Sequence, residues 1–166
     1  SYYNKIHDYT SKSGVVFTEI LTPEYVPERL TDRETLWNEV EHVERNNKAQ
    51  LAYSFDIALQ NELTLEENIR LAKEFCQEQF VARGMIVDLA IHEGKSDNEE
   101  EPDNPHFHVL VPIRPFTEEG IWGNKQRREY ILDEDGNRVK DAKGKEMFNA
   151  VSTTGWNDPE LLKEWR

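Results

Sequence analysis

Asn104-Pro105-His106-Phe107-His108-Val109-Leu110-Val111 is the stretch on which the reading of this chain turns. Two histidines flank one apolar residue, and an alternating apolar run follows. In an extended strand successive side chains point to opposite faces, so His106 and His108 share a face with Leu110. Phe107, Val109, Val111 and Ile113 take the other face and read as core. Two imidazoles two residues apart on a strand can converge on one divalent ion, since neutral histidine is the commonest metal ligand among side chains. His92 closes the preceding apolar run, Met85-Ile86-Val87-Asp88-Leu89-Ala90-Ile91-His92. If the two runs pair, one three-histidine site follows.

Working outward, the length of 166 residues fits a single domain able to bury a real core. There are 33 acidic against 20 basic residues, a net charge of −13. That balance opposes indiscriminate nucleic-acid binding, which carries a basic footprint. The charge is not uniform, however. Acidic residues crowd the stretch 93–103, whereas Lys125, Arg127, Arg128, Arg138, Lys140, Lys143 and Lys145 gather late in the chain. One cysteine, Cys76, excludes an internal disulfide and fits a reducing compartment. It falls in a helical pattern and reads as a small core residue. No apolar run approaches transmembrane length and no signal peptide is visible. The chain opens on Ser1 rather than methionine, which reads as a piece of something longer.

Val15–Leu21 is β-branched and apolar and reads as a strand. Thr31-Asp32-Arg33-Glu34 has the capping-box pattern, and Leu36, Val40 and Val43 then recur at helical spacing, giving a helix over 32–47 with Trp37 in the core. Leu51–Leu59 alternates, with Tyr53, Phe55 and Ile57 on one side and Ser54, Asp56 and Ala58 on the other, as in a half-buried strand. Thr64-Leu65-Glu66-Glu67 is a second capping box, opening a helix to about residue 83 with Leu65, Ile69, Ala72, Cys76 and Phe80 inward. Asp133-Glu134-Asp135-Gly136-Asn137 punctuates a hairpin, and an EF-hand reading fails because its glycine comes too early. Asn157-Asp158-Pro159-Glu160 starts a last helix. No internal repeat is apparent.

Four strands and two long helices predict an α+β fold, an antiparallel sheet with helices packed on one face and an open metal site on the other. Parity supports the open face: His106, His108, His92 and Asp56 each lie opposite bulky apolar neighbours. Three imidazoles and a carboxylate there would leave coordination positions free. The alternatives are plain ones. A histidine pair on a strand also reads as two exposed polar residues, and Asp56 as a solvated one or as a support for an imidazole. His7 and His42 receive no role. An ion so placed can polarise a phosphoryl oxygen; manganese, magnesium and zinc all remain open.

Ala90-Ile91-His92-Glu93, an acidic insert and Asn104-Pro105-His106-Phe107-His108-Val109 together resemble the metal motif of conjugative relaxases, nicking enzymes with a histidine–hydrophobe–histidine motif. The MobA/MobL mobilisation proteins are the nearest branch. His7-Asp8-Tyr9-Thr10, the strand from Gly14 to Leu21, Asp32–Asn38 and Phe75–Val81 extend the resemblance through most of the chain. It implies a relaxase (HUH-endonuclease-like) fold and a bacterial, cytoplasmic nickase acting on single-stranded DNA at a plasmid transfer origin, working with accessory mobilisation proteins. A tyrosine would attack the scissile phosphate, giving a 5′-phosphotyrosyl link, with a divalent metal held by His92, His106 and His108. Asp56 falls where relatives carry an acid. The late basic segment 125–145, with Lys125, Arg127 and Arg128, is the candidate for DNA contact, through phosphates rather than base edges; it reads equally as a solvated charged hairpin.

The chain departs from the family at its start. Relatives open with a strand and a helix carrying the nucleophile in an Ala-Tyr-Arg-like motif, absent from this sequence. The nearest tyrosines, Tyr2 and Tyr3, fall outside such a motif. The expectation is therefore one relaxase domain, 1–166, truncated at the N-terminus and at the C-terminus, that binds metal and nicks poorly or not at all. Two other readings stand beside it. A rolling-circle initiator or transposase would share the motif but place a tyrosine helix after the histidine pair, and a non-catalytic metal or protein-binding module would suit the negative charge.

Overall fold

Residues 14–154, apart from 97, 99 and 101, are described by a computed structural model of the chain. Tyr2, Tyr3, His7 and the helix expected from residue 157 lie outside the described residues. Two compact units divide at Gly123 and Asn124.

The first unit holds strands β1 (Val15–Leu21), β2 (Ala52–Ala58), β3 (Val87–His92) and β4 (His106–Pro112), with helices α1 (Arg33–Val43) and α2 (Leu65–Gln79). The strands form one antiparallel sheet in the order β1-β3-β4-β2. Sequence dictates who sits in the middle. All six residues of β3 are buried, as a near-continuous apolar run requires when both faces are covered. β2, which alternates, takes an edge. The α+β class and the four-stranded sheet are those the sequence implied.

On the Phe55/Phe107 face α2 supplies Ala72, Cys76 and Phe75. Phe75 meets Phe107 edge-on at 5.9 Å between centroids, and Phe55 stacks on Phe80 at 5.6 Å. The first turn of α2 differs from the expected stripe. Leu65 is exposed, and Asn68 takes the buried slot, its amide nitrogen donating to the Gln60 carbonyl at 2.9 Å. The Thr64 capping box forms: Thr64 N–H donates to the Glu67 carboxylate at 2.8 Å, and Glu67 N–H donates to Thr64 Oγ1 at 3.2 Å. At α1 the cap shifts by one residue. Asp32, rather than Thr31, accepts from Thr35 N–H, because the Thr31 hydroxyl is spent on the Glu28 carbonyl in the preceding 3-10 turn. The helix stops at Val43, since the run that follows offers nothing apolar to bury.

α1 itself lies on the opposite side of the sheet from α2. Leu36, Trp37 and Val40 pack with Leu110, Ile86, Leu30 and Phe116, and Leu110 shares its face with the histidines. The residue that draws the helix there is Asp88, which faces Leu110 across the strand pair. Its buried carboxylate accepts two bonds from Arg33 Nε at 3.0 Å, one from Arg33 Nη2 at 2.8 Å and one from Trp37 Nε1 at 2.9 Å. The polar member of β3 is therefore sealed under a helix rather than open to solvent, and α1 covers half of the face that parity alone left bare.

In the second unit β5 (Gln126–Tyr130) pairs with β6 (Phe148–Ser152). The chain between them makes two turns of one design, a period of eight residues where the sequence alone shows no repeat. Asp133 Oδ1 accepts from the N–H of Asp135 and Asn137, and Asp141 Oδ1 accepts from the N–H of Lys143 and Lys145. Each turn is completed by a glycine with positive φ, Gly136 at 82° and Gly144 at 79°. The three segments close in a ring of backbone bonds: Ile131 N–H to the Met147 carbonyl, Met147 N–H to Val139, and Val139 N–H to Ile131, at 2.8–3.0 Å.

Two outcomes follow from this packing. Asp88→Ala removes the carboxylate shared by a half-buried guanidinium and an indole N–H, and should cost about 1–3 kcal/mol in urea unfolding; a change within 0.5 kcal/mol would show that α1 is held by its apolar contacts alone. Burial pushes the Cys76 thiol up to about 12, so at pH 8 the native protein should react with a thiol reagent only at its unfolding rate, and prompt labelling would contradict this.

Candidate metal centre

The registers of three strands bring the histidines together. In the β3–β4 pairing His92 faces His106 and Ala90 faces His108; in the β2–β4 pairing Asp56 faces His108 and Ala58 faces His106. Alanine at both flanking positions leaves room above the sheet for the three rings. His92 and His106 stack at 5.1 Å between ring centroids, and His108 stands edge-on to both, at 4.7 and 4.8 Å. One nitrogen from each ring lies within 4.8 Å of one from each of the others. His92 is buried, while His106 and His108 are half-buried with their site open to solvent.

The chemistry of this donor set fits a divalent cation. Metal–imidazole bonds are about 2.0–2.2 Å, so the rings would close on one ion by small side-chain rotations. Two of the three already have the distal nitrogen engaged. The Asn104 carbonyl accepts from His106 Nδ1 at 2.7 Å, which fixes that nitrogen as the protonated one and leaves Nε2 with its lone pair. His108 Nδ1 contacts the Asp56 carboxylate, with the same consequence when it donates the proton. Three nitrogen donors and no cysteine would leave coordination positions for water or substrate on a bound ion, as reactive rather than structural sites do.

Asp56 itself is largely exposed, 68% for the side chain, and reaches the site only through His108. The sequence offers two readings of it, solvated carboxylate or imidazole support, and its exposure together with its contact to His108 is compatible with each. His42 is exposed on α1. Of the described tyrosines in the first unit, Tyr25 donates its hydroxyl to the Phe116 carbonyl and Tyr53 is buried opposite Val111. Neither belongs to the lining of the histidine depression, which consists of Asp56, Ile57, Ala58, Asn104, His106 and His108.

Lys125, Arg127 and Arg128 belong to the second unit, which is far less acidic than the whole: residues 124–154 carry seven basic against six acidic side chains. Arg127 and Arg128 are exposed on opposite faces of β5. Arg127 pairs with Glu129 at 2.9 Å, and the Arg128 guanidinium lies 4.5 Å from the centre of the Phe148 ring. Arg138 stacks on Tyr130 at 3.7 Å and also pairs with Glu146. What sequence reasoning missed here is this aromatic support, signalled only by Tyr130 and Phe148 facing one another in the final register.

Among the described residues no helix is long and apolar enough to cross a membrane. The whole chain, residues 1–166, matches the MobA/MobL family. It is similar to the conjugal transfer protein TraA of Agrobacterium fabrum, 35% identical over 162 residues, covering 90% of this chain and 14% of that protein. The probable mobilization protein MobA of Bifidobacterium longum is 35% identical over 135 residues, 80% of this chain and 23% of that protein. The chain thus spans less than a quarter of the length of these two relatives. A solved structure described as the molecular basis of vancomycin resistance transfer in Staphylococcus aureus superposes with a TM-score of 0.67 at 34% identity, over 96% of this chain and 67% of that one. With the family match running over residues 1–166 and relatives 35% identical to it, this chain belongs to the MobA/MobL family of conjugal transfer and mobilisation proteins.

Proposed function

We propose that this chain supplies the metal-binding half of a relaxase centre that nicks single-stranded DNA at a plasmid transfer origin by tyrosine transesterification. The observation that carries the reading is the convergence of His92, His106 and His108 on one open half of a sheet face. A tyrosine oxygen attacks the scissile phosphorus and loses its proton, a phosphotyrosyl ester forms at the 5′ side, and the 3′ oxygen leaves and is protonated to a hydroxyl. When bound, a divalent ion supplies polarisation of a phosphoryl oxygen and offsets the charge that gathers in the transition state. His92, His106 and His108 hold it. Asp56 keeps the His108 ring oriented and its Nδ1 protonated. The metal can be manganese, magnesium or zinc on this ligand set.

Neither Tyr25 nor Tyr53 has a hydroxyl placed for attack, so the nucleophile is proposed to come from outside these two positions. Lys125, Arg127 and Arg128 are proposed to neutralise DNA phosphates, an interaction that positions the strand without reading its sequence. Accessory mobilisation proteins and a bacterial cytoplasmic setting belong to the same reading.

Labelled single-stranded origin DNA incubated with the intact protein and manganese should give a covalent protein–DNA adduct, and His106→Ala should lower its formation at least about 100-fold. Metal uptake at the histidines without any adduct would replace the nickase with a metal-binding module. Reversing Arg127 and Arg128 to glutamate should weaken binding of single-stranded DNA and lower the salt slope, by about 1.4 if each arginine neutralises one phosphate. An unchanged affinity and slope would remove these residues from the DNA contact.

A further inference from the structure

His106 draws its orientation from a backbone oxygen rather than from a side chain, and that oxygen has to be held by something. The Asn104 carbonyl that accepts from His106 Nδ1 at 2.7 Å sits at the end of a loop of acidic composition, where nothing in the sequence suggests rigidity. The loop is nevertheless pinched at its neck. Asn104 N–H donates to the Gly94 carbonyl at 2.8 Å. On the other side Leu59 N–H donates to the Pro105 carbonyl at 2.8 Å, and the Asn61 amide nitrogen donates to the Asp103 carbonyl. Pro105 removes one more freedom, because its ring restricts Asn104 to extended backbone.

The tightest constraint is at Gly94. Its φ of 60° is left-handed, and a β-carbon there would fall inside the van der Waals radius of the Asn104 carbonyl oxygen, the same atom that holds the imidazole. By contrast Gly144, also left-handed at φ 79°, has open space where its β-carbon would be.

We propose that Gly94 is a positioning residue for His106: its missing side chain lets the Asn104 carbonyl approach closely enough to fix the Nδ1–H tautomer and turn Nε2 toward the other two histidines. The proposal rests on the reading of the triad as a metal site, but its first consequence does not need a metal. Any side chain at 94 displaces the carbonyl, releases Nδ1 and lets His106 exchange between tautomers. His108, whose Nδ1 is held by Asp56, keeps its own.

The test compares Gly94→Ala with Gly144→Ala in the intact protein, which separates the general strain of alanine at positive φ from loss of this contact. On metal-free samples at pH 8, nitrogen-15 shifts of the imidazoles should show His106 as the Nδ1–H form in the parent and in G144A, and a mixture of tautomers in G94A, with His108 unchanged in all three. Manganese alone, titrated by calorimetry, should bind about tenfold more weakly to G94A and equally to the parent and G144A. Amide signals of Leu89 and Val109 report whether the sheet is intact. Should they move in G94A, Asn61→Ala, which loosens the same neck from its other side, should give the same tautomer change. An unchanged His106 tautomer in a variant whose sheet is intact overturns the proposal. A parent protein that takes up none of manganese, magnesium and zinc while G94A still frees the His106 ring overturns the metal reading and leaves the positioning role standing.

Discussion

The pairing of β3 with β4 is the constraint on which the rest of this structure depends. Because side chains alternate with a period of two, the register His92↔His106 and Ala90↔His108 puts all three imidazoles on one face at one end of the sheet. A slip of one residue would send Phe107 and Val109 to solvent and the histidines into the aromatic layer beneath α2. Burial of Phe107, Val109, Leu89 and Ile91, each 2% exposed or less, therefore fixes the three histidines as firmly as any contact they make themselves. The apolar face holds the register, and the polar face inherits it.

The polar face is not uniform. α1 is anchored through Asp88 and packs over Leu110, while among the described residues no helix packs over the end carrying the histidines. A charged pair buried this way is a poor source of net stability, but removing one partner is costly, so the pair acts to specify where the helix lies. Among the described residues the end of the face beyond α1 is the one that carries the three histidines.

Much of this was legible in the sequence because it rests on short-range rules. Period-two parity gave the face of each histidine and of Asp56, Thr64 and Glu67 announced the cap of α2, and the turn at Asp133–Asn137 formed where its residues required. What parity could not give is which helix covers which face. Asp88 has the parity of a solvent-facing residue, and only the arrival of Arg33 and Trp37 from fifty residues upstream makes it buried. Asn68 displaced Leu65 from the inner stripe for a related reason, since the Gln60 carbonyl it satisfies belongs to a loop the helical period does not describe. Asp32 took the cap because Thr31 had a nearer acceptor. The part of the site that stayed hidden was backbone: a carbonyl has no letter in the sequence, so the hold on His106 could not be read from it.

The pinched neck between Gly94 and Asn104 also separates the acidic loop from the sheet in an evolutionary sense. Once the two chain segments are bonded at the neck, the residues beyond it close a loop whose ends are already fixed, and lengthening it changes closure entropy by only about 0.6 kcal/mol per doubling. His92 and His106 on either side would not register the change. The stretch 95–102 is in that respect a place where added length would leave the registers of His92 and His106 as they are.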